Sequence, residues 1–355
     1  TRPAASRLNS AEKVRRCLVI RHLYIWRYSR LNECPESLDH YTTAIEEGMA
    51  GEGFFLDPMG SWRSLSGDGL SEVESQCVVI HDELAAQIFG SISYYYSILP
   101  LAPTFVAEAG LNSESPIGRN EFEKLLLAFA ELPELNRFLY LYDCRILVSA
   151  IQECTKEVSQ PTGEFYRILN LEPFFTPGIR LDDGLRWSTS PSVTNLNAIL
   201  GFLFVRMHSL LDYLAKLAME TENLRADFSN YPKLASSKFL FGQRNRLVLN
   251  DRRGSLFESC EEVQEVESVR NLLIHDGLLD DMPKAYEVVQ NGVAIERFIL
   301  MPDRTNGQFE RYKNRRLFYG REDKINLRLA SLVRTFQLRE VETLKGIREN
   351  IASLD

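Results

Sequence analysis

Histidine is scarce in this chain, with five in 355 residues, and the cysteines are unpaired. Cys17, Cys34, Cys77, Cys144, Cys154 and Cys260 are scattered and form no Cys-x-x-Cys unit. That spacing argues against disulfides and zinc, and predicts reduced, buried thiols in a cytoplasmic protein. There is no P-loop and no strand-flanked glycine fingerprint, so neither phosphate-cradling signature is present. No uninterrupted run of about twenty apolar residues occurs, which predicts no transmembrane helix and no membrane partner. The apolar stretch Ile98-Leu99-Pro100-Leu101-Ala102-Pro103 is short and broken by prolines. Thr1 to Arg7 lacks the apolar segment of a signal peptide. A basic surplus is missing too: 41 Lys and Arg against 49 Asp and Glu give a net charge of −8, whereas generic nucleic-acid-binding surfaces are basic.

The composition that remains is ordinary for a globular protein, 45% hydrophobic and 25% charged, and the length suffices for two domains. Helical periodicity runs near residues 10–30, 71–99, 119–131 and 134–158. Gly48 to Gly69, with Phe54, Phe55 and Trp62 embedded, reads as a long ordered loop, because its aromatics need burial. Tyr94-Tyr95-Tyr96 spreads around a helix axis and partly fills a core. The turn-rich stretch from Pro173 to Gly184 is the candidate boundary. It separates a helical N-terminal domain of unassigned role, 1–185, from a second domain, 186–355.

In the second domain Ser190-Pro191 reads as an N-cap followed by proline at the first helical position. Leu196, Ile199, Leu203, Met207, Leu210, Leu214 and Leu217 then keep one apolar stripe. His208 and Asp212, one turn apart on another face, are within reach of each other. A second helix is expected from about Leu256, with Val263, Val266, Val269 and Leu273 as its apolar positions. Tyr286–Val289 and Val293–Leu300 around Asn291-Gly292 predict a β-hairpin near 285–301. A closing helix begins near Glu322.

The most informative stretch is Val269-Arg270-Asn271-Leu272-Leu273-Ile274-His275-Asp276-Gly277. It sets a permanently charged guanidinium and an imidazole that titrates near neutrality at a helix end, where Gly277 suits the terminating turn. Glu267, Asn271 and His275 recur every four residues and share a stripe. Arg270 lies one position off it. The competing reading is a capped helix terminus, with a cation near the negative end of the helix dipole. Arginine and histidine at such spacing recur as Arg15 or Arg16 with His22, without the polar residue after the arginine.

Arg-Asn, three apolar residues and His-Asp-Gly at a helix end resemble the HEPN superfamily, helical proteins whose motif is an arginine, four to six residues, then a histidine. The recognisable part runs from about Pro191 onward. The resemblance implies a mainly α fold, a HEPN-like four-helix core with an inserted β-hairpin, preceded here by the helical N-terminal domain. It implies a metal-independent endoribonuclease without a cofactor, its site formed where two motifs meet in a homodimer. Arg270 would bind the scissile phosphate, His275 would act in proton transfer, and Asn271 matches the polar residue that follows the arginine. Glu267, His208 and Asp212 are supporting candidates. Such families include toxins and antiviral defence proteins, so an antitoxin or regulatory partner is implied with the RNA substrate. Arg244, Arg246, Arg252 and Arg253 before the motif helix, and Arg311, Lys313, Arg315 and Arg316 after the hairpin, are the RNA-contact candidates, because cations interleaved with aromatics suit phosphates and bases. The alternative is a catalytically silent HEPN-like helical module binding a protein partner or a nucleotide, with the acidic N-terminal half as its working surface. Residues 31–75 hold ten acids against Arg63 alone.

Overall fold

The computed structural model describes residues 53–57, 60–175, 182–249 and 252–352. The helix expected near 10–30, the Arg15/Arg16–His22 pair, and Cys17 and Cys34 lie outside them. The chain is mainly helical, as expected. Its helices are α1 (Leu70–Phe89), α2 (Ile92–Ile98), α3 (Thr104–Glu108), α4 (Arg119–Ala128), α5 (Leu135–Leu171), α6 (Pro191–Glu222), α7 (Glu261–His275) and α8 (Leu329–Ala352).

The long helices share one continuous apolar core that runs from Phe54 to Ile351. α5 lies along α6, α1 packs on α5 and α8, and α7 is held by α6 and α8. Residues after 186 supply three of these long helices, α6, α7 and α8. The bundle takes its other two, α1 and α5, from the N-terminal side of the boundary expected at 185/186. α6 is central, with Leu196, Leu200, Leu203, Met207, Leu210, Leu214 and Leu217 buried. Each such side chain contributes roughly 1.5–3 kcal/mol of burial. By length and composition α6 passes the test for a membrane span. Here its apolar stripe is spent on neighbouring helices, while Arg206, His208, Asp212 and Lys216 stand along its other faces.

Two boundaries differ from the sequence expectation. The stretch 71–99 breaks at Gly90 into α1 and α2. The helix expected over 134–158 continues to Leu171 straight through Pro161. Pro161 sacrifices one ladder bond, but the helix is packed on both sides of it. Ser159 and Thr162 hydroxyls donate to the carbonyls one turn back, at 3.1 and 2.7 Å. Gly163, at which helix propensity is poor, is where Trp62 lies against α5: a Cβ there would sit 2.4 Å from the Trp62 side chain.

The expected loop around Trp62 holds a short hairpin, β1 (Phe54–Leu56) with β2 (Trp62–Ser64), and Phe54 stacks on Tyr166 at 5.2 Å. β3 (Gly184–Ser188), β4 (Ala285–Gln290) and β5 (Val293–Phe298) form an antiparallel sheet in the order β3-β4-β5, with Asn291 and Gly292 at the β4–β5 turn. The strand β3 begins where the sequence suggests only a turn. Two-residue pairs follow: β6 (Leu300–Met301) with β9 (Asp323–Lys324), and β7 (Arg304–Thr305) with β8 (Gln308–Phe309). Cys77, Cys144 and Cys154 are buried free thiols and Cys260 is half-buried. Burial pushes the Cys154 thiol up to about 12, which makes it a poor nucleophile.

Candidate active site at the end of the motif helix

α7 starts later than the periodicity suggests, at Glu261 instead of Leu256, because Ser255–Glu258 is spent on turns and Cys260 is extended. Glu261 and Glu262 occupy its first turn, where acids favour the helix dipole. Val263, Val266, Val269 and Leu272 are its buried stripe. At the other end the amides of Asp276 and Gly277 both donate to the Leu272 carbonyl, at 2.9 and 3.0 Å. Gly277 adopts φ +98°, a conformation a side chain resists, and that turn stops the helix directly after His275.

Arg270 is half-buried, and Asn271 and His275 are exposed. Arg270 Nη1 donates to Asn271 Oδ1 at 2.9 Å. The His275 side chain has no hydrogen-bond or ion-pair partner among the described residues, so it is not fastened to its own helix end. The helix end therefore carries a guanidinium bonded to Asn271 and, about 140° round the helix axis, an imidazole without a partner among the described residues.

The N-terminal half of α6 packs against this end. Gly201 lies against Leu273, 3.8 Å from where a Cβ would stand. Further along α6, the Arg270 charge acts on His208, and Asp212 acts on Glu267. α6 and α7 thus pack antiparallel. His208 Nδ1 stands 3.8 Å from Asp212 Oδ2, beyond hydrogen-bond length, while Asp212 Oδ1 accepts from the Phe241 amide at 2.9 Å. Arg244 stacks over the Phe241 ring at 4.1 Å. Burial pushes the His208 imidazole below its usual range; Asp212 opposes that shift and Arg270 adds to it. Burial raises the Glu267 carboxyl, with Arg244 countering and Asp212 reinforcing. The supporting candidates Glu267, His208 and Asp212 therefore sit together with Arg270, and Arg244 joins them.

The other basic candidates divide. Arg316 pairs with Asp276, the residue after His275, and the Tyr319 hydroxyl donates to the Leu279 carbonyl. The 311–319 segment is thereby folded against the motif end. Within it Arg311, Lys313 and Arg315 are exposed, Tyr312 and Arg315 exchange backbone hydrogen bonds, and the Lys313 ammonium stands over the Tyr312 ring at 5.6 Å. Arg246 is exposed at the end of the 3-10 segment Phe241–Arg246. Arg252 is elsewhere: it donates to the Leu247 carbonyl at 2.5 Å and its charge acts on Glu222, about 30 Å along α6 from Gly201. Arg253 is exposed beside it.

Sequence reasoning missed the network that fastens α7 to the irregular segment. Buried Glu265 accepts from Arg328 Nη1 at 2.7 and 2.9 Å and pairs with Arg304, while Asp323 accepts from both arginines. A glutamate interrupting a buried stripe is the signal that points to it. Around the motif end Phe202, Ile274, Leu278 and Met282 are exposed apolar side chains. Comparison of the chain with protein-family models, with curated proteins and with solved structures gives no match.

Proposed function

We propose that the protein is a metal-independent endoribonuclease of the HEPN type that cleaves RNA by attack of the ribose 2′-OH on its own phosphate, leaving a 2′,3′-cyclic phosphate. The observation that carries the reading is the free, exposed His275 one turn beyond the Arg270–Asn271 pair. The 2′-OH is an internal nucleophile, so the reaction needs proton transfer and charge stabilisation instead of an activated water. Arg270 neutralises charge developing on the phosphate oxygens, His275 transfers a proton, and Asn271 holds the guanidinium. Lys313, Arg315 and Tyr312 extend the path for RNA past the helix end. The two-fold homodimer implied by the resemblance brings two motif ends together, and the exposed Phe202, Ile274, Leu278 and Met282 supply an apolar surface for it. A role as toxin or antiviral effector, restrained by an antitoxin or regulatory partner, belongs to this reading.

The test is incubation of the purified protein with mixed RNA in EDTA, wild type beside His275→Ala, with end-group analysis of the products. Cleavage by the wild type alone, cyclic phosphate ends and unchanged activity in His22→Ala are expected. Magnesium-dependent cleavage that tolerates His275→Ala would overturn the mechanism. One observation favours the silent module: Arg316 and Arg252 already have partners, which leaves fewer cations for phosphates. Wild type that cuts no RNA under any condition, with its partner supplied, selects that reading.

A further inference from the structure

The β3-β4-β5 sheet covers one face and leaves the other bare. On β4, Ala285, Glu287 and Val289 are buried, and beneath that face Arg297 of β5 reaches the last carbonyls of α5. The alternate positions point the other way. Register sets Leu185 against Val288 and Trp187 against Tyr286. Val293 stands opposite Gln290 on the same side, and Ile295 is the extra residue where the β4–β5 register shifts. Leu185 is 63% exposed, Trp187 52% and Val293 62%, although a strand that meets water on one face ordinarily carries polar residues there. Phe298, also on this face, is stacked on Tyr286 at 5.1 Å and covered by the Lys324 ammonium at 4.2 Å.

The rim of this face is acidic. Asp182 and Asp183 precede β3, and Asp183 Oδ1 accepts from the Gly292 amide at the hairpin turn, at 3.0 Å. Asp280 and Asp281 precede β4 at the other end, beside the Trp187–Tyr286 pair. With Glu296 that makes five carboxylates against three cations, each already engaged: Arg186 with Asp182 at 3.6 Å, Lys284 with Asp280 at 3.3 Å, and Lys324 with Glu296. A phosphate chain finds no free cation there, and a second copy of the same face would meet it acid to acid. An occupant both apolar and basic fits. Residues 13–30 of this chain, outside the described residues, have that composition. They hold Lys13, Arg15, Arg16, Arg21, Arg27 and Arg30, no Asp or Glu, and the apolar runs Leu18-Val19-Ile20 and Leu23-Tyr24-Ile25-Trp26. The described chain begins close by, at Gly53. Phe54 stacks on Tyr166, whose hydroxyl donates to the Asn326 carbonyl at 2.7 Å, and the Asn326 amide donates to the Arg297 carbonyl of β5 at 3.3 Å. The stretch from Arg30 to Gly53 spans up to roughly 75 Å when extended, enough to round the sheet.

We propose that the open face of the β3-β4-β5 sheet is the docking site of the chain's own basic segment 13–30. Its apolar side chains lie on Leu185, Trp187, Val288 and Val293, and its cations meet Asp182, Asp183, Asp280 and Asp281. The contact is independent of the endoribonuclease reading.

Photo-crosslinking on the full chain tests it. The photoreactive p-benzoylphenylalanine replaces Trp187 in one variant and Leu185 in another, each checked for fold by circular dichroism. An equal mixture of isotope-labelled and unlabelled protein separates links within a chain from links between chains. Links from both positions should map to 13–30 of the same chain. Arg15→Glu, Arg16→Glu and Arg21→Glu together should lower their yield by ~10-fold, as the loss of several surface ion pairs implies. Salt at about 1 M should act in the same direction. Links between labelled and unlabelled chains at β3 would make the face an interface between copies and overturn the inference. Links confined to other segments, or none from either position, overturn it as well. So does a yield that the charge reversal leaves unchanged, because the acidic rim would then select nothing.

Discussion

At the helix end the same residues carry very different weight in folding and in chemistry. His275 and Arg270 contribute little to folding, since a charge near a helix terminus is worth roughly 1 kcal/mol. Their expected contribution to cleavage is far larger. His275→Ala and Arg270→Ala should each lower the rate by ~100-fold or more while circular dichroism and the melting temperature stay near wild type. Activity retained by either variant in a gel assay counts against the site. Glu340 is the opposite case, a residue with weight in stability alone. It is fully buried on α8, its Oε1 accepts from the Thr155 hydroxyl at 2.6 Å, and its Oε2 has no partner among the described residues. Burial pushes its carboxyl from 4.5 up to about 8. Between those values the folded chain keeps a proton that the unfolded chain has lost, so stability falls as pH rises through the window. Glu340→Gln should remove that component. Melts at pH 5 and pH 8 should show a smaller drop for the variant than for wild type, and equal drops would show that Glu340 is not the group responsible.

The motif helix is positioned by ion pairs as much as by its apolar stripe. Glu265 is buried with Arg304 and Arg328 on it, and removing one member strands charge in a poorly hydrated place. Glu265→Ala should cost roughly 3 kcal/mol, read as a lower urea midpoint. An unchanged midpoint would mean the apolar stripe alone holds α7. Much of this helix was legible in sequence: its valines at three-residue spacing, its end at Gly277 and the Asn291-Gly292 turn are local matters of periodicity and backbone conformation. Its start was not, because turns at Ser255–Glu258 leave the apolar pattern unbroken. The run of α5 through Pro161 was equally hidden, since packing against Trp62 and the neighbouring helices outweighs a local breaker.

For the whole molecule, the unpartnered apolar side chains at the motif end and the single histidine per motif point to a two-fold assembly. Light scattering at micromolar concentration should report a dimer, and Leu278→Asp should yield a monomer by placing a charge in the contact. A monomeric wild type, or a dimer indifferent to Leu278→Asp, counts against that assembly. Local sequence was enough for the helical class, the hairpin at Asn291-Gly292, and an arginine, an amide and a histidine at one helix end, because each depends on near neighbours along the chain. It took the packed fold to bring α1 and α5 into one core with α6, α7 and α8, to carry Arg316 but not Arg252 to the motif end, and to lay Leu273 against Gly201. Those are contacts between distant positions, fixed by which apolar faces bury one another and by the register they settle into, and no local pattern encodes them.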